Sequence, residues 1–225
     1  MNYPKYLSLQ LVSIVLIFFT TIGCSSSSTQ YLIQDLQISD SERTISVMTI
    51  EADDLYHEFP GHLFGALRPS ERNLFDNQIL SLLAQHSRSQ VYGKIRDQAL
   101  FEIDLNLREF KISNNSFTMI APETGSEIFY ENFRNRFVLI LDQFFFTPYE
   151  AEVGGDTYAG HENRTERRMR LELKYLIWDN ELKDAVAWGS IERNRVFDTL
   201  DQMNSYNLLL TEAIRQIVQV SPLRS

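Results

Sequence analysis

Residues 137–147 read FVLILDQFFFT, the most hydrophobic run beyond the N-terminal segment. A continuous apolar run of this length, rich in phenylalanine, predicts a central strand covered on both faces. Asp142 interrupts it. A buried carboxylate needs partners or a shifted pKa, so Asp142 reads as a hydrogen-bonded core residue or one near a sheet end, with a functional carboxylate as the alternative. Downstream, residues 168–178 alternate. Met169, Leu171, Leu173, Tyr175 and Ile177 face one way, while Arg168, Arg170, Glu172 and Lys174 face the other. Residues 179–183 are a hairpin loop, and residues 184–193 return as a paired strand. A last helix is expected from Thr199, because Thr199 to Gln202 has the capping-box spacing. Leu200, Met203, Tyr206, Leu210, Ala213, Ile214 and Ile217 then recur at helical spacing, and Pro222 ends it.

Upstream of the run, residues 123–135 are expected to be a helix with Ile128, Phe129 and Phe133 as its apolar positions. Directly after the run, residues 148–166 are expected to be a loop. Residues 99–112 alternate, with Phe101, Ile103, Leu105 and Leu107 opposite Glu102, Asp104, Asn106 and Arg108. Their phase then slips, which suggests a bulge near Arg108-Glu109. A helix spans 70–86, with Ser70 as its cap and Leu74, Phe75, Ile79, Leu82 and Leu83 on one side. Residues 90–93 form a short strand, and residues 31–38 and 44–52 form two more. This order defines an α+β fold, a mixed β-sheet with helices on one or both faces, in a single domain over 31–225.

The N-terminus has a different logic. Lys5 precedes an apolar stretch, Leu11 to Phe19, which is followed by Thr21-Ile22-Gly23-Cys24 and the polar run Ser25-Ser26-Ser27-Ser28-Thr29. Positive, then apolar, then small residues is the order of a secretory signal, and the run is short for a membrane span. Ile22-Gly23-Cys24 resembles a bacterial lipobox, although Thr21 stands where the pattern prefers leucine. The resemblance implies a signal peptide over 1–23, diacylglycerol and palmitate on Cys24, and a lipidated flexible tether over 24–30. Serine after the modified cysteine implies sorting to an outer membrane. Two or three acyl chains, at about 0.8 kcal/mol per buried methylene, give near-permanent anchoring.

Removal of residues 1–23 leaves 202 of 225 residues and, with Lys5 gone, shifts the net charge from −9 to −10. An acidic chain of this kind argues against nucleic-acid binding and against a polybasic grip on anionic lipid. Cys24 is the only cysteine, so packing rather than disulfides must hold the fold.

No nucleophile elbow, phosphate-binding glycine loop or metal quartet is present, and no cofactor is implied. His57 and His62 superficially suggest a zinc-protease helix. They are five apart, with Pro60-Gly61 between them, so they cannot share a helical face. The weak metal candidates are His57, His62, Asp156 and His161, on two loops. Arg170, Lys174 and Arg193 form a candidate basic stripe for a partner, with Trp188 as an exposed anchor.

The strand 137–147, the hairpin LIWD…VAWG and the closing helix resemble small envelope lipoproteins, namely penicillin-binding-protein activators and the N-terminal domains of curli-secretion lipoproteins. The resemblance spans the chain from Phe137 onward and carries no catalytic residue. It implies a non-enzymatic binding or assembly factor for a larger envelope protein or polymer. The alternatives are a metal-assisted hydrolase built on the histidine loops and a small-ligand-binding lipoprotein with a pocket lined by Phe144 to Phe146.

Overall fold

The run FVLILDQFFFT lies within a 17-residue strand that has neighbours on both edges and both faces. The computed structural model of the chain describes residues 26–224 apart from 34–35, 37, 52–54, 66, 96–101, 132–133 and 155–163. In chain order the elements are β1 (Ser27–Leu32), β2 (Thr44–Thr49), α1 (Pro69–His86), β3 (Gln90–Lys94), β4 (Leu105–Ile112), β5 (Asn115–Pro122), β6 (Phe137–Val153), β7 (Arg164–Asp179), β8 (Asp184–Val196) and α2 (Gln202–Gln219). The main sheet has the order β1-β8-β7-β6-β2-β3, and β4-β5 form a separate two-stranded sheet. β2 pairs in parallel with both β6 and β3, and the other neighbours are antiparallel. The fold is therefore α+β with a mixed sheet.

Both faces of β6 are covered because its side chains are apolar in both phases. Phe137, Leu139 and Leu141 pack under α1 and α2 with Tyr175, Ile177, Leu210 and Ile214. Val138 and Ile140 point the opposite way and meet Met119, Ile120, Leu176 and Trp178 beneath the β4-β5 hairpin. Each such burial contributes about 1.5–3 kcal/mol. The phase reverses at a bulge between Asp142 and Phe145, where Gln143 takes a positive φ of 51°. Beyond it, Phe144 and Phe146 face the helices, Phe144 stacking on Phe75 and Phe146 meeting it edge-on.

Several sequence expectations are corrected. Residues 123–135 hold no helix among those described. Gly125 turns the chain with φ 102°, and the Asn180 amide holds Ile128 extended by bonding both its N–H (2.8 Å) and its C=O (2.7 Å). No bulge occurs at Arg108-Glu109, and β4 pairs with β5 without interruption. The apparent slip arises because Leu105 and Leu107, though apolar and within β4, are not its buried residues. Its core-facing residues are Phe110 and Ile112, while Leu107 is exposed. The β6-β7 ribbon reaches Val153 and Arg164, so residues 148–153 and 164–166 are strand rather than loop, and residues 155–163 lie outside those described. Arg68 rather than Ser70 occupies the N-cap of α1, and the Glu71 carboxylate accepts the Arg68 backbone N–H. α2 starts at Gln202, capped by Asp201, which leaves Leu200 exposed before it.

β1 begins at Ser27, earlier than the expected strand 31–38, so Ser27 to Gln30 are strand rather than tether. Its seat on β8 depends on Gly189. Gln30 crosses above that glycine to donate to the Tyr175 hydroxyl at 2.7 Å, and its amide oxygen accepts from Gln216 at 2.6 Å. A Cβ on residue 189 would lie 2.7 Å from the Thr29 carbonyl oxygen and 2.8 Å from the Tyr175 ring. A backbone oxygen cannot swing aside as a side chain can. Gly189→Ala is expected to lift β1 and cost about 1–3 kcal/mol. Amide exchange should show protection lost at Thr29 to Leu32 and kept in β6 and β7.

Candidate functional site

The β6 bulge turns two polar side chains toward the hairpin layer. Asp142 is fully buried. Its Oδ2 accepts the Ile120 N–H at 2.9 Å and contacts His62 Nε2 at 2.9 Å. The Gln143 amide donates to the Thr118 carbonyl at 3.0 Å, and Lys174 Nζ donates to the same oxygen at 3.2 Å. Burial pushes the Lys174 ammonium below its ordinary range, and the Asp142 carboxylate opposes that shift. One knot thus fastens three separate pieces: the segment around His62, strand β5 and the main sheet. An imidazole beside a carboxylate also occurs in acid-base sites. Here both carboxylate oxygens are engaged by the His62 ring and one also by a backbone amide.

The structure separates the sequence-predicted partner residues. β8 pairs Leu171 with Arg193 and Arg170 with Asn194, so Arg193 shares the helix face while Arg170 and Lys174 share the other. Arg193 donates to the Ser27 carbonyl and to Gln216 Oε1, bracing β1 against α2. Arg170 is part-exposed, 3.4 Å from Glu172 and above the Tyr149 ring. Trp188 stacks on Tyr31 at 4.4 Å and donates its indole N–H to the Lys111 carbonyl at 3.0 Å. It is half-buried and pins the hairpin, so it does not stand free as an anchor. Among the metal candidates, His57 is exposed and His62 is held by Asp142. Asp156 and His161 lie outside the described residues, as does Cys24. Among the described residues, no three His, Cys, Asp or Glu side chains converge as a metal set. Phe144 and Phe146 are packed against Phe75 in the core and line no open pocket among the described cavities.

A feature that the sequence reading missed is a cleft of about 520 Å³ at the end of the sheet where β2 and β6 begin and β7 turns into β8. Arg136 forms its floor, held by Glu42 at 3.0 Å, Glu181 at 3.2 Å and the buried Asp179 at 3.3 Å. Arg134 and Lys183 stand at the wall, and both contact Glu127. Hydrogen bonding by Lys183 holds the Glu127 carboxyl below its usual range, with Arg134 adding to it. The Ser39 backbone N–H does the same for Glu42, with a smaller contribution from Arg136. Thr44 Oγ1 accepts the Arg136 backbone N–H at 2.8 Å, leaving its own proton to donate. Asn135 is fully buried, and its amide oxygen has no donor among the described residues. The sequence signal for this cleft was charge at strand ends, Arg134-Asn135-Arg136 before β6 and Asn180 to Lys183 after β7. Neither has a periodicity.

No family model matches the chain, and no curated protein matches it. Among solved structures it is similar to the PelC dodecamer from Paraburkholderia phytofirmans, at 11% identity and a TM-score of 0.41, covering 89% of this chain and 98% of that one. It is also similar to a structure described as a neuraminyllactose-binding hemagglutinin homolog from Helicobacter pylori. That match has 12% identity and a TM-score of 0.37, over 84% and 86% of the two chains. Neither likeness carries a residue role or an activity to this chain.

Asp142→Ala leaves the buried Ile120 N–H and the His62 ring without their acceptor, at about 1–3 kcal/mol each, and is expected to lower the midpoint of urea unfolding. His62→Gln, which keeps a neutral donor, should cost less than about 2 kcal/mol. An Asp142→Ala midpoint equal to wild type would show that the knot is not what holds the hairpin.

Proposed function

We propose that this chain is a lipid-anchored envelope protein whose domain binds or scaffolds a larger envelope component without chemistry of its own. The observation that carries this reading is how closely the fold follows the lipobox. Three chain steps, at most about 3.6 Å each, join Cys24 to Ser27, and Ser27 is already paired with Glu192 of β8. An acyl chain on Cys24 would therefore seat the domain directly on the bilayer. β8 runs from Asp184 at the cleft to Val196 at the far end. β1 enters near the Val196 end, so the cleft opens at the pole away from the anchor. Serine at position 25 favours the outer membrane by the same resemblance.

Labelled palmitate is expected to enter the wild-type chain and to be absent from Cys24→Ala. Label retained in that variant would exclude Cys24 as the acceptor. Crosslinking in living cells, with recovery on a C-terminal tag, should return a discrete envelope partner for wild type and less of it for Cys24→Ser. No partner with either form would contradict the scaffold role.

A further inference from the structure

We infer that the polar cleft between the turn at Asp40–Glu42, the segment 134–136 and the β7-β8 turn is a saccharide-binding site. The inference adds a ligand class to the binding role proposed above, and it rests on that role only for the cleft's orientation.

The lining decides the class by elimination. None of the ten residues around the cleft is an aliphatic amino acid; its apolar surface is the Tyr92 ring and the stems of charged side chains, so an acyl chain or apolar peptide would also have to desolvate the charged heads beside it. Three cations face two carboxylates, and Arg136 is held by three acidic partners. A polyanion would meet neutralised charge. Hydroxyls, amides and planar charged groups remain, set close together. Adjacent sugar hydroxyls each donate and accept, and planar guanidinium, carboxylate and amide groups answer such pairs in register.

Three particulars strengthen this assignment. Asn135 lines the cleft, and its buried amide oxygen has no donor among the described residues, whereas native buried acceptors are rarely left so. Arg134 is exposed along most of its length and touches Glu127 only at 3.4 Å, so its donors can be re-aimed at little cost. Tyr92 brings the one aromatic ring of the lining, an apolar face for the C–H side of a pyranose amid polar edges. The volume lies within the range of small-molecule sites, about 300–1,000 Å³.

The test is saturation-transfer NMR on the full chain in detergent micelles, in its acylated form and as Cys24→Ser. The probes are N-acetylglucosamine, galactose and glucuronate at millimolar concentration, with inorganic phosphate as the anion control. Transfer to at least one sugar is expected in both forms. Arg134→Ala and Tyr92→Leu should weaken it by about tenfold, the weight of one good contact, with unchanged thermal midpoints. If either variant fails to fold, Arg134→Lys and Tyr92→Phe replace them, with a smaller loss expected. No transfer to any sugar, transfer untouched by the cleft variants, or binding of phosphate alone would overturn the assignment. Sugar binding by a chain that takes no palmitate would leave the cleft standing and remove the anchor, and the reverse pattern would do the opposite.

Discussion

One carboxylate in the middle of an apolar strand organises the second layer of this protein. The β4-β5 hairpin belongs to a sheet of its own, so no continuous ladder of backbone hydrogen bonds ties it to the main sheet. A two-stranded hairpin is marginal alone in water. Its attachment comes from apolar packing on Val138, Ile140, Leu176 and Trp178, together with a few directed bonds. Asp142 supplies the most deeply buried of these, and the bulge at Gln143 lets two consecutive polar side chains serve the same face. The bulge also resets the phase of β6, so that Phe144 and Phe146 continue the helix-side core. A regular strand would have pointed them at the hairpin.

Most of the sheet was legible in the sequence because burial on both faces, or on one, leaves a clear pattern. The run 137–147 and the alternation 169–177 identified β6 and β7, and Leu74 to Leu83 identified α1. The segment 123–135 was misread because three apolar residues at helix-like spacing outweighed Gly125. What holds that segment extended is the side chain of Asn180, which lies 52 residues from Ile128 and leaves no local signal. The β6 bulge was invisible for a related reason. In a run that is apolar in both phases, a one-residue slip changes no letter of the pattern.

The candidate site residues followed the same division. Lys174, Trp188 and His62 drew notice as polar or aromatic residues in unusual places. All three attach one layer or segment to another. Arg193 was placed on the wrong face because sequence alone does not give the β7-β8 register across the bulge at Ile177/Trp178. The cleft escaped notice because its walls come from four segments brought together by parallel pairing of β2 with β6 and β3 and by the turn between β7 and β8. Loops at strand ends share no period, and their function depends on which ends the topology gathers.

In the proposed reading an anchor before Ser27 and the cleft lie at opposite ends of the main sheet, and that polarity is the central claim. Strand β8, 13 residues long, spans about 40 Å at roughly 3.3 Å per residue. Since Cys24 is the only cysteine and the proposed lipid would consume its thiol, a second cysteine can be labelled alone in the acylated protein. The direct measurement is energy transfer from a dye at Leu182→Cys or Leu200→Cys to an acceptor in the headgroups of liposomes carrying the acylated protein. Strong transfer from position 200 and weak transfer from position 182 are predicted. Equal transfer, or the reverse order, would contradict the account.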